Sequence, residues 1–285
     1  MKNFIIYLNP SLPDKQAIFD LLGSLTAECE VTFLGLVEQQ DLLPGFIKIF
    51  APSPDRASRV DCVLVFGGDG TILRAKNIAL QTKAPILGIN VGYLGFLSET
   101  TLAELKASLR ELLQKRFRLL TRMLVRCQVR RGNETVFTGL ALNDAVVYKG
   151  EVPRLIRVRI FNGGRFVYDT RCDGVIVSTP TGSTAYSLAA GGPLLAPEMQ
   201  AMVLTPLNPH LLTTRPLVFP AKDRILLKVH GLETPAILQI DGVNSFHLEE
   251  NDEVSVTAAK QNVQFIKLSN RTFYQIMRRK MHLGK

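Results

Sequence analysis

The sequence has no tryptophan and no C-x-x-C pair. It lacks both a G-x-x-x-x-G-K-[S/T] phosphate loop and a complete G-x-G-x-x-G fingerprint, so it is neither an ordinary P-loop enzyme nor an evident Rossmann dehydrogenase. No apolar run approaches the ~18–20 uncharged residues of a membrane span, and the opening segment 1–15 has too short an apolar stretch for a secretory signal. A cytosolic chain without a membrane partner is the expectation. The four cysteines, Cys29, Cys62, Cys127 and Cys172, are widely spaced. That spacing suits small buried hydrophobes in a reducing compartment better than a disulfide frame or a zinc site. Internal repeats and low-complexity segments are also missing.

What is present is an ordinary soluble composition, 46% hydrophobic and 21% charged over 285 residues, long enough for two modest domains. Lys and Arg exceed Asp and Glu by 34 to 25, a formal charge of +9 that draws anions. Nucleic-acid binding is not expected, because basic runs interleaved with aromatics are missing. The short cluster Arg278, Arg279 and Lys280 reads as cations at the end of a helix, matched to its dipole.

Along the first third, strand and helix signals alternate. FIIYL (4–8) precedes a helix beginning after Pro13-Asp14, then come a strand near 31–34, a Pro-rich loop at 51–56 and the strand VDCVLVF (60–66). A further helix, a strand at 85–90 and a helix over about 102–116 follow. This alternation predicts a parallel, helix-covered α/β sheet of Rossmann-like type. After about residue 119 the period falls to two, as in Met123, Val125, Cys127 and Val129 with polar residues between. Many short strands follow, with turn residues at Gly132-Asn133 and Asn162-Gly163-Gly164, which predicts a β-sandwich-like, all-β second domain. The expected division is 1–118 for the α/β domain and 119–268 for the β-rich domain, with a helical tail from Ser269-Asn270 (269–285) packing back on the first.

Three constellations carry chemistry. In Gly67-Gly68-Asp69-Gly70-Thr71, between a buried strand and a helix, glycines let backbone amides approach phosphate oxygens and the helix N-terminus adds its positive end. A carboxylate beside phosphates is electrostatically costly, which points to proton acceptance or metal holding. The same residues also suit a tight turn with Asp69 or Thr71 capping the helix. The second constellation, 173–187, is hydroxyl-rich and carries Tyr186. It offers partners for ribose, phosphate or amide groups and an aromatic face for a base, or else an elaborate helix cap. The third, Asn143-Asp144, places an amide and an acid at a strand edge or turn.

Together these segments resemble the NAD kinase family. The resemblance rests on G-G-D-G-T at 67–71, Gly92-Tyr93-Leu94-Gly95-Phe96-Leu97, the pair Asn143-Asp144, the run D-G-x-x-x-S-T-P-T-G-S-T-A-Y-S-L at 173–188, and P-H-x-L-x-x-R-P at 209–216. It implies phosphoryl transfer from ATP or polyphosphate to the 2′-hydroxyl of the adenosine ribose of NAD, giving NADP, at a site between two domains of a homodimer or homotetramer. It further implies Asp69 as proton acceptor, Gly70 and Arg74 on the phosphate side, and Phe96 near a substrate ring. Asn143, Asp144 and Asp173 would hold polar groups of NAD, as would the loop residues Thr184, Ala185, Tyr186, Ser187, Leu188 and Ala189. Arg154 and Arg171 align with substrate-contacting positions. Asp144 stands where Glu is usual, Cys172 where Gly or Ser is frequent, and Val243 breaks a polar position, leaving Asn244 to supply an amide.

No metal-ligand spacing is evident, so a divalent cation such as Mg2+ is expected to arrive with the nucleotide. A lipid kinase of the diacylglycerol-kinase-like class shares G-G-D-G-T, but the 173–188 run argues against it. A non-catalytic nucleotide sensor gains nothing from Asp69.

Overall fold

The computed structural model describes residues 1–50, 60–92, 95–150, 154–232 and 236–282. The Pro-rich loop expected at 51–56, and Tyr93 and Leu94 of the glycine-rich segment, lie outside them. The chain divides into two compact units, Met1–Thr121 with Val263–Lys285, and Arg122–Asn262.

In the first unit, β1 (Asn3–Leu8), α1 (Gln16–Glu28), β2 (Thr32–Leu36), β3 (Lys48–Phe50), β4 (Cys62–Phe66), α2 (Asp69–Thr82), β5 (Ile86–Asn90), β6 (Thr100–Thr101) and α3 (Leu105–Leu113) follow in order. The strands pair in parallel in the order β5-β4-β1-β2-β3, as the alternating pattern predicts. Every residue of β4 and β5 is buried, the signature of a parallel strand covered on both faces. One set of side chains, among them Phe4, Ile6, Leu8, Leu64 and Phe66, packs with Ile18, Leu22 and Leu25 of α1 and Leu105, Leu109 and Leu112 of α3. Each such burial is worth about 1.5–3 kcal/mol relative to exposure. Helix α2 packs on β4 and β5 from the other side, its Ile72 lying against Gly88.

The helix α3 is shorter than the 102–116 expected. The Glu104 carboxylate accepts from the backbone N–H and hydroxyl of Thr101, which holds a turn ahead of the helix, and Lys115 at φ 58° ends it.

The second unit is a sandwich of two antiparallel sheets. Its strands are β7 (Arg118–Arg131), β8 (Glu134–Ala141), β9 (Asp144–Tyr148), β10 (Ile156–Asn162), β11 (Arg165–Cys172), β12 (Gly174–Ser178), β13 (Ala201–Leu207), β14 (Leu217–Pro220), β15 (Arg224–His230), β16 (Ala236–Ile240), β17 (Asn244–Leu248) and β18 (Glu253–Lys267). One sheet pairs β11-β10-β15-β18 and the hairpin β7-β8, and the other runs β14-β13-β12-β9-β16-β17. Their inner faces share one core. Met123, Val125, Cys127 and Val129 come from the first sheet, and Ala145, Val147, Val175, Val177, Leu238 and Ile240 from the second. The period-two reading of β7 therefore names its inward residues.

The last strand, β18, is a single run of 15 residues, and its final residues belong to the first unit and pair Phe265 with Ile86. The tail helix α5 (Phe273–Met281) starts later than Ser269-Asn270. A reciprocal cap fixes its first turn: the Thr272 hydroxyl accepts from the Gln275 N–H, and the Gln275 side chain accepts from the Thr272 N–H.

Candidate active site

In the first unit the strand order places β1 between β2 and β4, so the chain leaves β1 and β4 in opposite directions across the sheet. In open α/β sheets ligands bind outside the carboxyl ends of the strands at such a switch point. Asn9 follows β1 and Gly67 follows β4 there, tied by the Asn9 N–H donating to the Phe66 carbonyl at 3.0 Å. Gly67 has φ +151°, and a Cβ on it would collide with the Thr71 side chain. Helix α2 begins at Asp69 itself, so its positive end faces the same crevice.

The Asp69 carboxylate is half-buried and held by the backbone. Its Oδ2 accepts from the Phe96 N–H at 2.8 Å and its Oδ1 from the Leu97 N–H at 3.1 Å. A Cβ on Gly95 would overlap that carboxylate, so the glycine lets the 95–97 backbone close over it. Gly70 and Arg74 are exposed on the first turns of α2. The alternative reading of Asp69 as a helix cap fails, because the cap position is Gly68 and no side chain caps the helix.

Phe96 lies beside helix α5. Its ring centroid is 6.3 Å from that of Phe273, and the Lys280 Nζ stands 4.6 Å from its centroid. The α5 segment is anchored ahead of the helix by buried Glu99, whose carboxylate accepts from Lys267 Nζ at 2.6 Å and from the Leu268 and Ser269 N–H groups. Arg271 adds a bond to the Glu99 carbonyl. This anchor is polar. None of the helix residues is buried.

In the second unit Asn143 and Asp144 lie where β8 passes into β9. Asp144 is buried, and its carboxyl is pushed up to about 7, first by burial and then by the negative charge of Asp241. Asp241 is the residue that sequence reasoning passed over in favour of Asn244, which is exposed on β17. Its carboxylate accepts from three successive backbone N–H groups, Leu142 at 2.9 Å, Asn143 at 2.7 Å and Asp144 at 3.2 Å. The Asp-Gly turn itself was the signal.

Four hydroxyls of the hydroxyl-rich run are tied into the fold, two within the run and two to residues outside it. Thr179 Oγ1 donates to the Leu142 carbonyl, Ser183 Oγ to Pro180, Thr184 Oγ1 to Thr181, and Ser187 Oγ pairs with Thr205 Oγ1 at 2.9 Å. The helix expected after it is a 3-10 turn, Gly182–Thr184, and the four residues of α4 (Tyr186–Ala189), because Gly191, Gly192 and Pro193 follow at once. Ser187 is buried and Tyr186 exposed, with Ala185 at the start of that short turn.

Asp173 pairs with Lys149 at 2.6 Å and accepts from Asn208 at 2.8 Å, which hold its carboxyl below the usual range. Arg154 and Arg171 line a cavity of about 320 Å3 with Lys149 and His210. Among the described residues no group of three or more His, Cys, Asp or Glu is placed to hold a metal ion.

A glycine turn at the switch point of a parallel sheet with a backbone-clamped carboxylate suits a phosphoryl-transferring enzyme, and the buried Asp144 beside Asn143 suits a polar ligand. Comparison with known proteins narrows the class. Residues 51–117 match the model of the ATP-NAD kinase N-terminal domain, and residues 142–268 that of the C-terminal domain. An NAD kinase of Moorella thermoacetica is 45% identical over 222 residues, covering 78% of this chain and 71% of the relative. One of Heliobacterium modesticaldum is 40% identical, covering 83% and 85%. Among solved structures, a yeast NADH kinase complexed with NADH has TM-score 0.89 at 26% identity, covering 100% of this chain and 88% of that one. An Archaeoglobus fulgidus NAD kinase in complex with ATP has TM-score 0.74 at 25% identity, covering all of both chains. The chain belongs to the ATP-NAD kinase family, and its activity is the phosphorylation of NAD to NADP.

Proposed function

We propose that Asp69 orients and deprotonates the 2′-hydroxyl of the adenosine ribose of NAD while ATP supplies the phosphoryl group. The observation that carries this reading is the double backbone clamp on the Asp69 carboxylate at the glycine turn. Phosphoryl transfer places charge on the transferred group, so catalysis is chiefly positioning and electrostatics. A carboxylate fixed at both oxygens presents its free lone pairs in one direction at little entropic cost. The exposed amides and the α2 N-terminus, with Gly70 and Arg74, receive phosphate oxygens. Mg2+ carried by ATP offsets donor charge that one arginine and backbone amides would leave uncompensated.

Asn143 and Asp144 take polar groups of NAD, and Phe96 and Tyr186 lie beside its rings. Asp173, Arg154, Arg171 and the loop 184–189 complete the nucleotide contacts, with Asn244 at the margin. Asp173 acts through its ion pair with Lys149, as that pair already occupies one of its oxygens. The family resemblance adds a homodimer or homotetramer working in the cytoplasm, which sedimentation of the purified protein tests.

Replacing Asp69 with Asn keeps size and an acceptor for one of the two backbone N–H groups, gives up the other and removes proton acceptance. We expect kcat for NADP formation to fall ~10²–10⁴-fold with NAD binding retained by calorimetry. Near-normal turnover would reduce Asp69 to a structural residue.

A further inference from the structure

We propose that Asp241 is a positioning residue for the acceptor nucleotide: by clamping three successive amides it sets the angle at which Asn143 and Asp144 meet NAD. The inference rests on the reading that those two residues bind NAD, and extends it to a residue in the turn between two other strands.

The geometry is specific. Asp241 follows β16, which pairs antiparallel with β9, and its own N–H donates to the Asp144 carbonyl at 3.0 Å. Its carboxylate turns back to take the N–H groups of Leu142, Asn143 and Asp144. Asp241 at φ +53° and Gly242 at φ +66° are the two central residues of the hairpin turn between β16 and β17, closed by the Val243 N–H donating to the Ile240 carbonyl at 2.9 Å. Asp241 is itself buried. Chain reversal accounts for the backbone of this turn but not for the direction of its acid, which is buried against the 142–144 amides.

The chain fixes the same segment from its other side. Thr179 N–H donates to the Asn143 carbonyl at 2.8 Å, and Thr179 Oγ1 to the Leu142 carbonyl at 2.5 Å. Backbone donors of 142–144 thus go to Asp241 and backbone acceptors of 142–143 to Thr179, which leaves the Asn143 and Asp144 side chains as the free functional groups of the segment. Among the described residues nothing donates a hydrogen bond to the Asp144 carboxyl. In the register, Ser178 on β12 lies opposite Asp144, and its hydroxyl is buried without a partner among the described residues. The groups facing Asp144 are therefore the neutral Ser178 hydroxyl and the charged Asp241. After burial, the Asp241 charge is the second cause that raises the proton affinity of Asp144.

The test compares Asp241→Asn, Asp241→Ala and Asp144→Ala in the full-length protein. Asn keeps an acceptor for the Asn143 and Asp144 amides, loses the one for Leu142 and removes the charge. We expect Asp241→Asn to raise KM for NAD tenfold or more, with KM for ATP within twofold. The pH dependence of NAD affinity should shift to lower pH, because the like charge is gone. Asp241→Ala should do more, and amide hydrogen exchange at 142–144 should quicken at least tenfold. Equal rises in both KM values, or an unshifted pH profile in the folded Asn variant, overturn the positioning role. If Asp144→Ala leaves NAD affinity unchanged, the underlying reading fails. If it weakens NAD while Asp241→Asn does not, the positioning inference alone fails.

Discussion

The buried carboxyl of Asp144 makes a quantitative demand on stability. Its ordinary value of 3.8 rises to about 7 in the fold, chiefly through burial and then through Asp241. An acid whose folded value is raised contributes stability that is fully present below its unfolded value and lost as pH rises through the folded one. The window therefore runs from about pH 3.8 to about pH 7, beyond which the loss is complete. At about 1.4 kcal/mol per pH unit the ceiling of the penalty is roughly 4 kcal/mol, of which about 2 falls between pH 5.5 and 7. Asp144→Asn keeps the shape and cannot ionise. Its melting temperature relative to wild type should rise with pH across that interval by roughly 4–8 °C, using about 2–4 °C per kcal/mol, and then level off. Scanning calorimetry of both proteins at four values from pH 5.5 to 8.5, without nucleotide, measures this. A difference that is flat in pH, or that shrinks as pH rises, would refute the argument. Since Asp144 is proposed to bind NAD, a gain in stability on its replacement marks a group retained for its chemistry.

Two further outcomes follow from the first unit. Gly95→Ala places a methyl group on the Asp69 carboxylate, so kcat should drop by a factor of ten or more with the melting temperature lowered by only a few degrees; unchanged turnover would show that the clamp on Asp69 is dispensable. Removing residues 270–285 deletes Arg271, its bond to Glu99, and the helix over Phe96, and should lower the melting temperature in a thermal scan; an unaltered transition and activity would show that α5 contributes nothing to the fold.

The parallel sheet was legible because its strands are uninterrupted apolar runs and its turns carry glycine, and β7 was legible because one face is buried and the other is not. The short strands β3, β6, β9, β14 and β17 were not, since two to five residues give no period to count. At the site, Asp69 announced itself through its glycines. Its partners did not, because they are backbone amides of Phe96 and Leu97, and any residue has an amide to give. The same holds for Asp241, whose work is done on the main chain of 142–144, about a hundred residues away in sequence. In the hydroxyl-rich run Thr179 and Ser187 bond to Leu142 and Thr205, partners that the local sequence does not name. Long-range side-chain-to-backbone bonds leave no local pattern.

The second unit lies within the sequence of the first, entered along β7 and left along β18. During synthesis the ribosome therefore releases the whole sandwich before it delivers Val263, Phe265 and Ile266, which complete the first unit beside β5. Until then β5 has an unpaired edge, apart from its short pairing with β6. At about 5–20 residues per second, that edge waits on the order of ten seconds or more for its partner. Open edges of this kind are templates for pairing with other chains. The nascent protein thus carries an open sheet edge through the whole synthesis of the sandwich, and that hazard ends only when the end of β18 pairs beside β5.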